Sequence, residues 1–437
     1  MSGMKKILSI LLAACTLLAA CQKEGPRELK LIGAADDGKQ TVEKSALVSG
    51  SNVIIKLEST FDYDVIIAPD AAKWVSVSSA SRTDLTLKVE RNEGEVERTA
   101  GVELCNGDEV LATVIISQDA PAPMLKYPAG ENNEFRRVVF FPSYRTLTAS
   151  AIPDEYLEMC NVAVYAFIEM DSNLKLTLKQ PDKLISLASR CHAKGIKVLL
   201  SFSGSSKYYK EMVSKASTRK NFVDKVIGIV DKYGLDGVDN DWEYPSASDA
   251  SKTGNLYLMR MLSNELHNPS RGKLLTMDIT DGRWTGGVRE GIDPQVYDCC
   301  DWFNNMSYNS VLASDKPEGY NALKIMDTSY NWWVVTRKMP ARKFVLGLPL
   351  YGTDPYTDTS WGYATILNAG GDPDKDVAVV KSSDGTPHTF FYNGRPTVRT
   401  KVSTMKERGC GGYMFWEGSF DSFDEYSLLR TAMEASE

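Results

Sequence analysis

The first part of the chain has the hydrophobic pattern of an all-β domain. In residues 27–120, short apolar runs with alternating polar positions are separated by turn-like segments such as 92–94 and 106–108. Because successive side chains of a strand point to opposite faces, this pattern predicts short strands with one buried face, arranged as a β-sandwich. The clearest predicted strands are residues 52–57, 85–89 and 111–116.

From residue 134 onwards, near-continuous apolar runs alternate with helical periodicity, after a proline-containing linker over 121–133. Leu184, Leu187, Ala188 and Cys191 would share one helix face, and a second predicted helix runs over 221–234. Apolar runs of this kind are typical of parallel strands that are covered on both faces. The predicted strands are residues 137–141, 162–167, 198–202, 235–245, 274–278, 302–306, 344–348 and 411–415. The predicted fold class is therefore α/β, a (β/α)8 TIM barrel over 134–437.

The fourth predicted strand carries three acids at alternating positions, Asp239, Asp241 and Glu243. They would share one face, although ionised carboxyls resist burial and repel one another. Such an arrangement is expected where a carboxyl must keep its proton in order to act as an acid. The acids also lie at the C-terminal end of a barrel strand, where active sites of this fold are found.

Two other interpretations of this segment are a solvated strand face and a calcium loop. A calcium loop counted from Asp239 needs glycine and glutamate where the chain has Tyr244 and Ala250. The three histidines and the scattered cysteines show no metal-ligand spacing either. We therefore predict no metal and no cofactor.

The segment 236–243 resembles the D-G-x-D-x-D-x-E motif of family 18 glycoside hydrolases, the chitinase family. In that family the 2-acetamido group of the substrate is the nucleophile. The resemblance implies that Glu243 is the general acid and that Asp241 orients the acetamide and stabilises its positive charge. Asp239 would share a proton with Asp241. Asp236 and Gly237 would be structural.

Other strand ends extend the resemblance. Residues 306–309 are similar to the family's M-x-Y-D, with Met306 in place, Asn309 instead of the aspartate, and Tyr308 expected to hydrogen-bond the acetamide carbonyl. Trp416 matches the tryptophan that forms the floor of the −1 subsite, and Tyr351 would line the cleft.

Two further residues complete the predicted site. Ser201 is expected to contact Asp239, and Phe167 ends the second strand facing the cleft. Ser203 and Phe140 depart from the family pattern, where glycine and tyrosine are usual.

The implied substrate is a glycan that contains β-1,4-linked N-acetylglucosamine, cleaved as by a chitinase. Two alternatives stay open at this point: an endo-β-N-acetylglucosaminidase acting on N-glycans, and an inactive glycan-binding lipoprotein. The flanking Trp242, Tyr244 and Pro245 favour the chitinase branch. The formal net charge of −7 argues against nucleic acid as a partner, and we expect a monomer.

The N-terminus has the pattern of a targeting segment. Lys5 and Lys6 precede an apolar run over 7–20 that is too short to cross a membrane. The run ends in Leu-Ala-Ala-Cys21, which resembles a bacterial lipobox. This implies a signal peptide over 1–20, a lipidated tether over 21–26 and an anchor on Cys21 in the outer membrane. The alternative is an ordinary secretory signal with an incidental cysteine.

Residues 27–120 also resemble a BACON domain, on the segments 74–77, 98–100 and 116–118. This resemblance implies an all-β immunoglobulin-like sandwich. The resemblance implies either attachment to glycans or a spacer that holds the barrel away from the membrane. We favour the spacer, because no aromatic cluster stands out beyond Trp74.

Overall fold

A computed structural model describes residues 26–35, 40–308, 312, 314 and 316–437. The lipobox with Cys21, and also Asn309, lie outside these described residues. The chain divides into two compact units, one built from the residues up to Glu93 with Arg98–Asp119, and the other from Gly94–Glu97 with Ala120–Glu437. Within the described residues, no helix has the combination of length and apolar composition that a membrane crossing requires.

The first unit consists of two four-stranded sheets. Its strands are β1 (Leu29–Leu31), β2 (Thr41–Ala46), β3 (Ser51–Ser59), β4 (Asp64–Ile67), β5 (Val75–Ala80), β6 (Asp84–Val89), β7 (Arg98–Asn106) and β8 (Glu109–Gln118). The sheet orders are β1-β3-β6-β5 and β2-β8-β7-β4, and β2–β8 is the only parallel pair among the described strands of this unit. Both sheets contribute to one buried cluster, so alternate side chains of each sheet face the other. The immunoglobulin-like and BACON assignments stay predictions.

The second unit is a closed barrel of eight parallel strands, in the order β9-β10-β12-β13-β14-β15-β16-β21 with β21 paired to β9. The strands of this unit are β9 (Arg136–Pro142), β10 (Val162–Met170), β11 (Leu176–Leu178), β12 (Lys197–Ser203), β13 (Gly237–Asn240), β14 (Leu274–Thr280), β15 (Trp302–Met306), β16 (Phe344–Pro349), β17 (Tyr351–Asp354), β18 (Thr359–Gly362), β19 (Val377–Lys381), β20 (Pro387–Phe391) and β21 (Gly412–Trp416). The predicted TIM barrel is confirmed.

Helices cover the outside of the barrel. They are α1 (Asp154–Leu157), α2 (Pro181–His192), α3 (Ser206–Ser214), α4 (Ala216–Tyr233), α5 (Ser251–Leu266), α6 (Ala322–Tyr330), α7 (Tyr363–Asn368), α8 (Arg395–Glu407) and α9 (Leu428–Ser436). The four apolar residues predicted for one face of α2 are all buried. Helix α4 starts five residues before the predicted Asn221 and ends at Gly234, whose φ of 63° is the left-handed conformation that glycine adopts without strain.

A small antiparallel sheet, in the order β18-β17-β20-β19, is inserted with α7 between β16 and α8. Asp354 at the end of β17 is buried and accepts hydrogen bonds from Thr357 Oγ1 at 2.8 Å and from the His388 ring at 3.0 Å. Burial is the largest single influence on this carboxyl and opposes its ionisation. The hydrogen bonds from Thr357, His388 and the backbone N–H groups of Tyr356 and Thr389 together outweigh burial and hold the pKa of Asp354 below its usual value.

Candidate active site

The acidic segment leaves the sheet earlier than its alternating pattern predicts. Strand β13 ends at Asn240 and not at Pro245, because the Asn240 side chain accepts the Trp242 N–H at 3.1 Å and turns the backbone out of the ladder. Asp239 and Asp241 are buried, whereas Glu243 is exposed beyond the strand end. Trp242 points the other way and stacks on Tyr209, with ring centroids 5.6 Å apart.

Asp236 and Gly237 lie at the opposite, N-terminal end of β13. Asp236 accepts the Val198 N–H and pairs with the His192 ring, both at 2.8 Å, so it ties the strand entry to its neighbours. A Cβ atom at Gly237 would lie 2.2 Å from the Leu274 carbonyl oxygen, so only glycine fits beside β14 here. Both residues are therefore remote from the acids and hold the strand in place.

Asp239 receives the most hydrogen bonds of the buried acids, because three side chains donate to it. Ser201 Oγ donates at 2.8 Å, Asn304 Nδ2 donates at 3.1 Å, and Thr276 Oγ1 donates to the same oxygen as Asn304. Burial still raises the pKa of Asp239 to about 6, against the lowering effect of these donors. The predicted contact between Ser201 and Asp239 is present.

The Asp241 carboxyl receives fewer hydrogen bonds than that of Asp239. Its Oδ1 atom is buried and has no hydrogen-bond partner within the described residues. Ser203, the residue that adds bulk where the family usually has glycine, donates its hydroxyl to the Asp241 backbone carbonyl at 3.0 Å. Burial, and then the charges of Glu243 and Asp239, raise the pKa of Asp241 well above its usual value.

A fourth acid, Asp278 on β14, belongs to this cluster and escaped the sequence analysis. Its side chain is buried and accepts Asn304 Nδ2 at 2.9 Å. Burial, followed by the charges of Asp239 and Asp241, raises the pKa of Asp278 well above its usual value. The available signal was the alternation along β14, where Thr276 and Asp278 interrupt an otherwise apolar run at every second position.

An aromatic floor lies on the other side of the barrel mouth. Trp416 stacks on Phe167, with ring centroids 5.8 Å apart and planes at 22°, and Phe140 packs against Trp416 at 5.7 Å. Trp416 and Phe167 are partly exposed, while Phe140 is buried beneath them. Phe140, where the family usually has tyrosine, keeps an aromatic ring against Trp416 but lacks the hydroxyl. A flat indole suits the apolar face of a pyranose.

Two tyrosines stand between the floor and the acids. The Tyr308 and Tyr351 rings meet edge to face, with centroids 6.1 Å apart, and burial raises the pKa of both hydroxyls, which keeps them as neutral donors. Gly347 leaves room for Tyr308, because a Cβ atom there would lie 2.8 Å from the ring.

A cavity of about 270 Å³ adjoins the acids on the β14 side. It is lined by Tyr244, Thr280, Asp281, Trp284, Thr285, Val288, Arg289 and Met306. The Trp284 ring is exposed, and the Met306 side chain is buried at the cavity wall.

Comparisons with known proteins identify the family of the barrel. The model of the glycosyl hydrolases family 18 matches residues 136–421, and the chain belongs to that family. One relative, Chitinase 1 of Aphanocladium album, is 26% identical over 284 residues, which are 55% of this chain and 65% of that protein. The chain thus spans about two thirds of the length of this relative.

Solved structures share the fold. The GH18 chitinase ChiB from the chitin utilization locus of Flavobacterium johnsoniae is 25% identical with a TM-score of 0.58, covering 70% of this chain and 94% of that chain. The chitinase-like agglutinin RobpsCRA from Robinia pseudoacacia is 24% identical with a TM-score of 0.55, covering 69% and 99%.

Proposed function

We propose that the barrel hydrolyses the β-1,4 linkages of N-acetylglucosamine-containing glycans, in the manner of a chitinase. The observation that carries the proposal is the placement of the carboxyls. Glu243 alone of the clustered acids is exposed at the strand end, and Asp239, Asp241 and Asp278 are buried behind it. Glu243 is therefore the group that can protonate a leaving oxygen.

The same placement argues against a protein nucleophile. An ordinary retaining glycosidase attacks the sugar with a second, ionised carboxylate. Here the nearest candidate is Asp241, which is buried and whose pKa is raised by burial and by the charges of Glu243 and Asp239. A carboxyl that is buried behind Glu243 is poorly placed to attack the sugar, and its oxygens can instead accept an amide N–H. The acetamide oxygen of the substrate then attacks the anomeric carbon, and Asp241 and Tyr308 orient that group.

Catalysis in this scheme follows from the arrangement of the cleft. The sugar lies on Trp416, its acetamide faces Asp241 and Tyr308, and its glycosidic oxygen faces Glu243. The bond from the anomeric carbon to the leaving oxygen breaks as Glu243 gives up its proton and the acetamide oxygen bonds to the anomeric carbon. Water then opens the resulting oxazolinium ion and returns a proton to Glu243, so the product keeps the β configuration.

Proton NMR of freshly released product tests the mechanism. We expect the β-anomer to appear first, with inhibition by a thiazoline analogue of the oxazolinium ion. An α-anomer appearing first would mean direct attack by water and would remove the roles given to Asp241 and Tyr308.

The substrate is tested by comparing chitooligosaccharides with a high-mannose glycopeptide. The chitinase activity of the relatives supports the first substrate, and cleavage of the glycopeptide alone would identify an endo-β-N-acetylglucosaminidase instead. Binding of both without cleavage would identify a lectin. Retention of Glu243, Asp241 and Tyr308 speaks against this last alternative.

We further propose that Cys21 is lipidated and anchors the protein in the bacterial outer membrane, with the N-terminal unit as a spacer. The support is the lipobox-like sequence before Cys21. Replacement of Cys21 by alanine should abolish incorporation of labelled palmitate and release the protein from the membrane fraction. Unchanged labelling would refute the anchor.

A further inference from the structure

The four clustered acids receive very unequal numbers of hydrogen bonds. Asp239 accepts from three side chains, Asp278 accepts from Asn304 Nδ2, and the Oδ1 atom of Asp241 has no partner within the described part of the chain. Hydrogen bonds from neutral donors favour the ionised form of a carboxyl. Asp239 is therefore the member of the cluster best able to carry a negative charge.

The Asp278 carboxyl interacts with both of the other buried acids. It is within hydrogen-bonding reach of both the Asp239 and the Asp241 side chains. Two ionised carboxylates cannot hydrogen-bond to each other, because neither has a hydrogen to donate. A contact between buried carboxyls is therefore favourable only when one of them is protonated.

The register of the barrel explains which carboxyl holds this proton. Asp278 pairs with Asn304 across β14 and β15, and the single Asn304 Nδ2 group donates to both Asp278 and Asp239. Among the described residues, this leaves one oxygen of Asp278 without a neutral donor. Asp241 must accept from the substrate, and Asp239 is already satisfied as an ion. The proton is therefore best placed on Asp278.

We propose that Asp278 is a positioning residue that keeps a proton between Asp239 and Asp241 and so holds Asp241 ionised and correctly oriented for the substrate. The inference rests on the proposed function, because that function assigns Asp241 the role of orienting the substrate's acetamide. The other ionisable groups around the three buried acids are Glu243, Tyr209, Tyr244, Cys300, Tyr308 and Tyr351. The β12 residues beside it, Ser201 and Ser203, carry no charge.

Two substitutions distinguish the effect of the Asp278 proton from the effect of the side chain's volume. Asp278→Ala removes the donor, and kcat on a chitotriose aryl glycoside should fall roughly 10- to 100-fold with a smaller change in KM, as expected for a lost hydrogen bond to a charged group. Asp278→Asn keeps a donor of similar shape and should recover about tenfold of that loss. Because asparagine cannot release the proton, its kcat should also persist to higher pH than that of the wild type.

The control variant is Asp224→Asn on the exposed face of α4, which should behave like the wild type. Thermal unfolding of each variant establishes that it is folded. An Asp278→Asn enzyme as impaired as the alanine variant, or one with the pH profile of the wild type, would overturn the proposal.

A second readout does not depend on turnover. With ¹³C-labelled aspartate, the infrared spectrum of the wild type at neutral pH should contain the carbonyl band of a protonated carboxyl, and Asp278→Asn should lack it. Persistence of the band would place the proton on another aspartate and refute the assignment. An absence of hydrolysis in the wild type would instead refute the proposed function, and the spectrum would still test Asp278.

Discussion

Replacement of Asp239 by asparagine should make the protein more stable while it impairs the site. Burial raises the pKa of Asp239 from 3.8 to about 6, so the folded state holds this proton more tightly than the unfolded chain does. The wild type therefore loses stability as the pH rises from about 4 through about 6, and the loss is complete above that range. A shift of about 2.2 pH units corresponds to about 3 kcal/mol at neutral pH.

An asparagine at position 239 avoids this loss of stability, because its side chain can keep most of the hydrogen bonds of Asp239. Thr276 and Asn304 donate to Oδ1, which an asparagine oxygen replaces, and Ser201 donates to Oδ2, where the new amide nitrogen would lie. The Ser201 hydroxyl can rotate and accept from that nitrogen. We expect a gain of about 1–3 kcal/mol at pH 7.5, or roughly 2–6 °C in the Tm of the barrel, and almost none at pH 4.

Calorimetry between pH 4 and pH 8 measures this dependence. Asp354→Asn is the matched control, because that buried carboxyl has a lowered pKa and should show the opposite sign. Its replacement should cost stability at neutral pH, with a deficit that shrinks as the pH falls through the folded pKa. An Asp239→Asn protein that is less stable than the wild type at pH 7.5, without a difference that grows with pH, would refute the reasoning.

Four further substitutions test the rest of the site and the barrel. Glu243→Gln should retain ligand binding but lower kcat roughly 10²–10⁴-fold, since it cannot donate the proton; turnover within about threefold of the wild type would exclude this acid. Tyr308→Phe should lower kcat more than it weakens binding, by roughly tenfold for one lost hydrogen bond, and isothermal titration with chitotriose separates the two effects. Gly237→Ala should destabilise the barrel by roughly 1–3 kcal/mol or more, because its Cβ atom would lie 2.2 Å from the Leu274 carbonyl oxygen. Gly228→Ala in α4, where a Cβ atom meets nothing within 4 Å, should instead stabilise by about 1 kcal/mol in thermal unfolding.

The barrel was predictable because its signals are local. The apolar runs gave the eight strands, and the spacing of Leu184, Leu187, Ala188 and Cys191 gave the buried face of α2. Strand ends were less predictable. The Asn240 side chain, and not Pro245, ends the ladder of β13. Both residues favour turns, and this propensity alone does not reveal at which of them the strand ends.

The surroundings of the acids were harder to predict, because they come from other strands. Two other strands supply the side chains around Asp239, which are Thr276, Asp278 and Asn304. The donors Thr276 and Asn304 are 37 and 65 residues away from Asp239 in the sequence. Only the parallel register places them side by side. A motif that spans eight residues carries no information about which polar groups face it, so the number of donors to each acid had to come from the structure.

The polar groups and the aromatic floor occupy separate arcs of the barrel. The four consecutive strands β12 to β15 carry the polar groups, which are Ser201, Asp239, Asp278 and Asn304. The contiguous strands β21, β9 and β10 carry the aromatic floor, which is Phe140, Phe167 and Trp416. A substitution on one arc can therefore alter sugar recognition without displacing the proton-carrying groups on the other. In evolutionary terms, new glycan preferences are accessible through single changes on the aromatic arc, and directed evolution can randomise that arc while the acid arc is held constant.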